Sequence, residues 1–171
     1  TSCTQAQVGK TFEFTYEGHT LKYEVADGNE AMVSEQQSAK ISGDVKIPEN
    51  VTFAGEKYSV KTIGKKAFFY CDTLTSVSIP NSVTTIGTEA FGNCRGLTSI
   101  TIPNSVKTIE ASAFWGCEGL TNVFLPNSVE TIEASAFGSC ENLKSIDVAK
   151  DNSHYSSENG VLFDISKKTL I

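Results

Sequence analysis

The amino-acid sequence predicts a repeat solenoid, mainly β with short helical turns, and three observations predict it. "IPNSV" at residues 79–83 returns at 102–106, and again as "LPNSV" at 125–129, each time 23 positions on. Self-similarity at one fixed period is how stacked units look in sequence. Laid out by that period, the chain gives four rows, 60–82, 83–105, 106–128 and 129 to about 151, with apolar residues at the same eight places. In the second row these are Val83, Ile86, Ala90, Phe91, Cys94, Leu97, Ile100 and Ile102; in the third, Val106, Ile109, Ala113, Phe114, Cys117, Leu120, Val123 and Leu125. So few inward positions cannot make a self-contained unit, and each row must bury its face against the next.

Within a row, "LTSITIP" (97–103) alternates apolar and small polar residues, a half-buried strand ended by a proline that cannot donate to a ladder. "VTTI" (83–86) reads as a second short strand after an Asn-Ser turn. "GTEAFGNC" (87–94) is too short for a full helix, and a helical turn fits it best. Ahead of the rows, "TFEFTYEGHTLKYEV" (11–25) alternates strictly around a Glu-Gly-His turn, which predicts a β-hairpin. "VKIPENV" (45–51) is a degenerate copy of the row motif, followed by extra residues 52–60 that hold a glycine-containing turn. Between 27 and 43 only a strand around Met32 and Val33 is expected. Residues 1–59 therefore read as an N-terminal β cap that includes a degenerate repeat, because a solenoid end exposes an unpaired edge.

Composition sets limits on function. A chain of 171 residues, 39% hydrophobic, can bury one core. Fourteen basic against twenty acidic residues give a net charge of −6, and the scattered Lys and Arg argue against nucleic acid and anionic membrane surfaces. No apolar run is long enough to span a membrane. The chain opens at Thr1, so only a form from which any targeting segment is gone is expected here.

Catalytic chemistry is not expected. His19 falls in the hairpin turn and His154 after the last row, neither with a partner at triad spacing. Glu110 and Glu133 recur at one row position, which suggests a solvated face. Cys71, Cys94, Cys117 and Cys140 stand one per row, tempting as a metal site or a disulfide set. Stacked strands advance about 4.8 Å, so the outermost pair would lie about 14 Å apart. Thiolates sharing one zinc at about 2.3 Å must lie within about 4 Å of one another, so no metal fits. In-register Cβ atoms also exceed the ~3.8 Å usual in disulfides. A buried, reduced ladder of small hydrophobes remains. Cys3 stands outside the frame: "TSC" resembles the end of a bacterial lipobox, with Ser2 as the small residue before a lipidated cysteine, or else Cys3 is an incidental thiol.

The rows "LTSVSIPNSVTTIGTEAFGNC" (74–94) and "LTSITIPNSVKTIEASAFWGC" (97–117) resemble the BspA-like (Treponema pallidum type) leucine-rich repeat, roughly LxxIxIPxxVxxIgxxAFxxC. The match recurs in register through 60–152 and weakens in the fourth row, where Ala149 replaces the proline. The ending "ENGVLFDISKKTLI" resembles a hairpin that interrupts or closes a repeat block in that family, so 153–171 is expected to be a C-terminal β-hairpin element. The resemblance implies a right-handed coil and a non-enzymatic recognition protein without a cofactor. It also implies a secreted or surface position on a host-associated microbe, with adhesion to host or microbial proteins as the role.

What remains for recognition is a surface. The outward strand pairs are Ser76/Ser78, Ser99/Thr101, Asn122/Phe124 and Ser145/Asp147, where Phe124 is the one aromatic. After each Ala-Phe pair the rows carry Phe69, Gly92, Trp115 and Gly138 in turn. Either each aromatic packs over the neighbouring glycine, or Trp115, Phe69 and Tyr70 are exposed anchors for a protein partner. Trp115 and Phe124 share the third row, which places both on one turn of the coil. Rival readings are a carbohydrate- or peptide-binding module, for which flat aromatics beside Asn or Asp would speak, and a structural spacer. Contact with a membrane is expected only through a lipid on Cys3.

Overall fold

A computed structural model describes residues 7–37 and 41–165. The chain begins with a hairpin, β1 (Thr11–Tyr16) and β2 (His19–Ala26), paired antiparallel from Thr11↔Glu24 to Tyr16↔His19. Its turn is Glu17-Gly18 alone, both left-handed (φ 47° and 85°), the two-residue geometry whose twist matches the flanking strands. His19 therefore opens β2 rather than lying in the turn. β3 (Glu30–Val33) covers Met32 and Val33, pairs antiparallel with β2, and on its other edge runs parallel to β6 (Glu56–Ile63).

The sheet turns into the coil at β6. Its first half pairs antiparallel with β5 (Asn50–Phe53) around the Ala54-Gly55 turn, and its last residues pair parallel with β8 (Thr85–Ile86) on the same edge. β10 (Thr108–Ile109) and β12 (Thr131–Ile132) continue that parallel ladder. The position between residues 59 and 60 thus falls inside one strand. On the other strand side of the coil, β4 (Gly43–Lys46), β7 (Leu74–Ser78) and β9 (Ser99–Thr101) pair in parallel, with Val45 opposite Val77. β11 (Asn122–Leu125) and β13 (Ser145–Val148) form a separate parallel pair, and β14 (Tyr155–Glu158) and β15 (Val161–Asp164) form a closing hairpin. The repeated pentapeptide makes the corner between the two strand sides: Val83 N–H donates to Pro80 O at 3.1 Å, and Val106 repeats the bond to Pro103 O at 3.1 Å.

The third side of each row takes the form of single hydrogen-bonded turns. Ala90 N–H donates to Gly87 O (3.1 Å), Gly92 to Glu89 O (2.9 Å) and Cys94 to Phe91 O (3.2 Å). Left-handed residues interrupt every turn, at Lys66, Glu89, Ser112 and Ser135 and again at Tyr70, Asn93, Gly116 and Ser139. A right-handed helix cannot propagate through such a residue. The N–H groups between the turns bond across rows instead: Glu89 to Ala111 O (3.0 Å), Phe91 to Ala113 O (2.8 Å) and Asn93 to Trp115 O (2.7 Å). The turn side is therefore tied row to row by backbone bonds, as is the β6–β8–β10–β12 ladder, whereas the ladder on the other strand side is interrupted between β9 and β11.

The core runs along the axis. Phe68, Phe91, Phe114 and Phe137 stack with centroids 5.2, 5.2 and 5.3 Å apart and planes within 4°. Aromatic side chains bury the largest apolar areas in a core, so this column is its heaviest element. Around it Val83, Ile86, Leu97, Val106, Ile109 and Leu120 are fully buried.

Candidate functional site

The cysteine ladder is structural. Three of its four thiols donate to the carbonyl of the phenylalanine one row back: Cys94 Sγ to Phe68 O at 2.9 Å, Cys117 to Phe91 O at 3.0 Å and Cys140 to Phe114 O at 3.1 Å. Burial pushes the Cys71 thiol up to about 12 and raises Cys94, Cys117 and Cys140 as well. A thiol so held is neither a nucleophile nor a metal ligand at neutral pH. Cys71, Cys94 and Cys117 are buried as expected, but Cys140 is only half-buried, because no further row packs on it. Cys3 lies outside the described residues.

Glu110 departs from the expected solvated face: it is half-buried, and its carboxylate accepts from Thr88 N–H and Thr88 Oγ1, both at 2.8 Å, whereas Glu133 is exposed and accepts from Ala111 N–H at 2.9 Å. They satisfy backbone donors left over at the start of the turns. Among the described residues no group of three or more His, Cys, Asp or Glu side chains is placed to hold a metal.

The aromatic candidates divide between two sides of the coil. Phe124 is 56% exposed on the outer face of β11. Beside it, Asn122 Nδ2 donates to Ser145 Oγ (2.7 Å), which donates to Asp147 Oδ2 (3.1 Å). Trp115 belongs to the turn side, so the third row carries it and Phe124 without joining them into one patch. Instead, Trp115 shares a groove of about 310 Å³ with Phe69 and Tyr70, floored by Gly92, Asn93 and Ser112 and flanked by Glu89.

Both readings of the aromatic and glycine alternation hold at once in this groove. A Cβ on Gly92 would lie 2.8 Å from Phe69 Cδ2, and one on Gly138 would lie 2.8 Å from Trp115 Cδ1, so each ring does pack over a neighbouring glycine. Yet Trp115 stays 41% exposed and Tyr70 48%. Phe69 meets Tyr70 edge to face, with centroids 4.5 Å apart at 75°. On its other side Lys66 Nζ stands 4.7 Å from the Phe69 centroid and 3.3 Å from Glu89 Oε2, so the groove's one carboxylate is already neutralised.

Asn93 is the residue that sequence reasoning missed. It is 6% exposed and lies on the groove floor. Gly116, one row on, makes room for it: a Cβ there would come within 2.6 Å of Asn93 Oδ1. The column Tyr70, Asn93, Gly116, Ser139 is left-handed throughout, and asparagine tolerates that conformation, so in sequence Asn93 looks like turn chemistry alone.

Comparison with known proteins places this architecture. Residues 61–161, more than half of the chain, match the BspA-type leucine-rich repeat region in six copies. No curated protein matches the chain. Among solved structures, a leucine-rich repeat protein from Bacteroides capillosus is 27% identical with a TM-score of 0.71, over 80% of this chain and 98% of that one. One from Bacteroides ovatus is 31% identical with a TM-score of 0.57, over 82% of this chain and only 33% of its own length. The leucine-rich repeat protein of T. pallidum is 27% identical with a TM-score of 0.57, over 74% of this chain and 67% of that one. Row period, stacked phenylalanines and the match across the repeats agree, and the chain belongs to the BspA-type leucine-rich repeat family.

Proposed function

We propose that the protein is a recognition module at the surface of a host-associated bacterium, adhering to host or microbial proteins through the Phe69, Tyr70 and Trp115 groove. The leucine-rich repeat is a non-enzymatic fold that generally mediates protein–protein interaction, and BspA-type proteins are commonly surface proteins. The observation that carries the reading is the half-exposed pair Tyr70 and Trp115, held rigidly across one groove by rings that pack on glycine. Rigid aromatics are the residues that dominate binding energy at protein interfaces. Phe124 and Asn122 form a second, smaller contact patch on the β11 face. Attachment to a membrane goes through a lipid on Cys3, which the mass of the N-terminal peptide from native membranes would reveal.

The test is solid-phase binding to a panel of extracellular-matrix and bacterial surface proteins. Trp115→Ala is expected to weaken the partner found by about thirtyfold, the loss that accompanies ~2 kcal/mol, while Phe124→Ala weakens it less. Unchanged binding with a large fall in stability would make both residues packing and move the binding face elsewhere.

A further inference from the structure

We propose that the C-terminal end of the coil is a second binding site, where a peptide segment of a partner protein adds one more rung to the turn side. Its main-chain carbonyls accept from the N–H groups of Ser135, Phe137 and Ser139, and an aromatic side chain between them settles on Phe137. The site lies apart from the Tyr70 and Trp115 groove and does not rest on the reading of it.

The turn-side ladder carries the proposal. In row one the N–H groups of Lys66, Phe68 and Tyr70 donate to the carbonyls of Thr88, Ala90 and Gly92, at 3.0, 2.7 and 2.9 Å. Row three repeats this, with Ser112, Phe114 and Gly116 donating to Ala134, Ala136 and Gly138 at 3.1, 2.7 and 2.8 Å. Row four holds the same three places with Ser135, Phe137 and Ser139, and none of their N–H groups meets a carbonyl of the described residues. The other two sides end differently. Ile132 N–H donates to the Tyr155 hydroxyl (2.7 Å), Ile146 N–H to Gly160 O (2.8 Å) and Val148 N–H to Ser157 Oγ (3.1 Å). The C-terminal segment thus closes both strand sides and leaves the turn side open.

What fits there follows from the three interfaces already made. Unpaired N–H groups at alternate residues are a template for another main chain. A helix spends its carbonyls internally and a saccharide has none at that interval, so neither matches three donors in step. The Phe68, Phe91, Phe114 and Phe137 rings advance 5.2 to 5.3 Å per row, and beyond Phe137 lies an apolar hollow walled by Leu143, Ile146 and Leu162. One more aromatic ring continues that column. Ala67, Ala90, Ala113 and Ala136 precede the rings and are all buried, so the residue before the aromatic must be small. A second copy of this chain does not offer such an edge: Ala67 and Phe68 of its first row are covered, and Ala67 O already accepts from Gln36 N–H at 2.9 Å.

The test is amide hydrogen exchange, read by NMR on the full chain. The probe is an end-blocked peptide with the sequence of residues 86–93, IGTEAFGN, which carries the Thr88, Ala90 and Gly92 carbonyls around an Ala-Phe pair. The controls are the same peptide with alanine for phenylalanine and a scramble of it. Exchange at Ser135, Phe137 and Ser139 is expected to slow tenfold or more with the probe alone. Ala136 and Gly138 should not change, because their N–H groups already bond to Glu133 O and Ser135 O. Val161 borders the hollow and is 42% exposed, so Val161→Glu is expected to weaken the peptide at least tenfold with the urea midpoint unchanged. No protection at ~1 mM peptide, the weak end of specific recognition, would overturn the proposal. So would equal binding of the alanine peptide or of the Val161→Glu protein. Slow exchange of the three amides without peptide, at any protein concentration, would also overturn it, since the chain or a second copy would then cover its own edge. The groove reading is decided separately, by the protein panel.

Discussion

Rows one and four carry the same Ala-Phe, Cys and Leu residues on and after the turn side, and they differ in what lies beside them. In row one Ala67, Phe68 and Cys71 are fully buried; in row four Phe137, Cys140 and Leu143 are only partly so. β3 and β4 lie across the first row's edge, on β6 and β7. Among the described residues, the fourth row's outer edge meets only the β14–β15 hairpin, which leaves an apolar hollow of about 410 Å³ lined by Phe137, Cys140, Leu143, Ile146 and Leu162. Burial in this coil is thus a property of the interface between rows, not of a row. The two closures also use different chemistry. The N-terminal one extends a sheet; the C-terminal one turns on Asn152, whose Nδ2 donates to Pro126 O (2.9 Å) and Val129 O (3.0 Å) while Oδ1 accepts from the His154 and Tyr155 N–H groups, both at 2.8 Å.

The largest effect that would break this comparison is removal of residues 11–59. Without that sheet the first row's edge is bare, and loss of cooperative folding with aggregation is expected in denaturant titration and light scattering. A soluble, cooperatively unfolding 60–171 fragment would show that row one does not depend on its neighbour. Next in size, Phe114→Ala should cost about 3–5 kcal/mol by urea unfolding, as for a phenylalanine removed from a closed core. Phe137→Ala should cost less than half of that, since its site already opens onto the hollow; equal losses would mean that the two rows are packed alike.

The smallest effect shows only at alkaline pH. Burial raises the Cys71 thiol from 9.0 to about 12, so its contribution to stability is full below about 9 and is lost as pH rises toward 12, where the unfolded chain ionises first. The urea midpoint should therefore fall across that window, and fall less in Cys71→Ala. An identical pH dependence in the variant would remove the thiol from the account. At pH 8, Cys140 should react with a thiol reagent ahead of Cys94 and Cys117.

Period, row boundaries and the two strand sides were legible because one small set of residue types repeats in register. Met32-Val33 and the degenerate copy at 45–51 were legible for the same reason, as short alternations near a known frame. The turn side was not. Its left-handed positions hold Lys66, Glu89, Ser112 and Tyr70, none of which signals positive φ as glycine does. Glu110 looked fully solvated because its partners are the backbone N–H and hydroxyl of Thr88 in the preceding row, which no side-chain pattern displays. Of the candidate site, the aromatics stood out by size. Which of them share a groove depended on which side of the coil each faces, and the environment of Asn93 depended on Gly116 one row away.

The aromatic and glycine alternation on the turn side gives the coil a parity. Phe69 lies over Gly92 and Trp115 over Gly138, with no space for a Cβ beneath either ring. Deleting one row would set Phe69 directly against Trp115, and duplicating one would set ring on ring or glycine on glycine. Lengthening or shortening this coil without disturbing that side therefore goes by pairs of rows, so its unit of growth is twice the period written in its sequence.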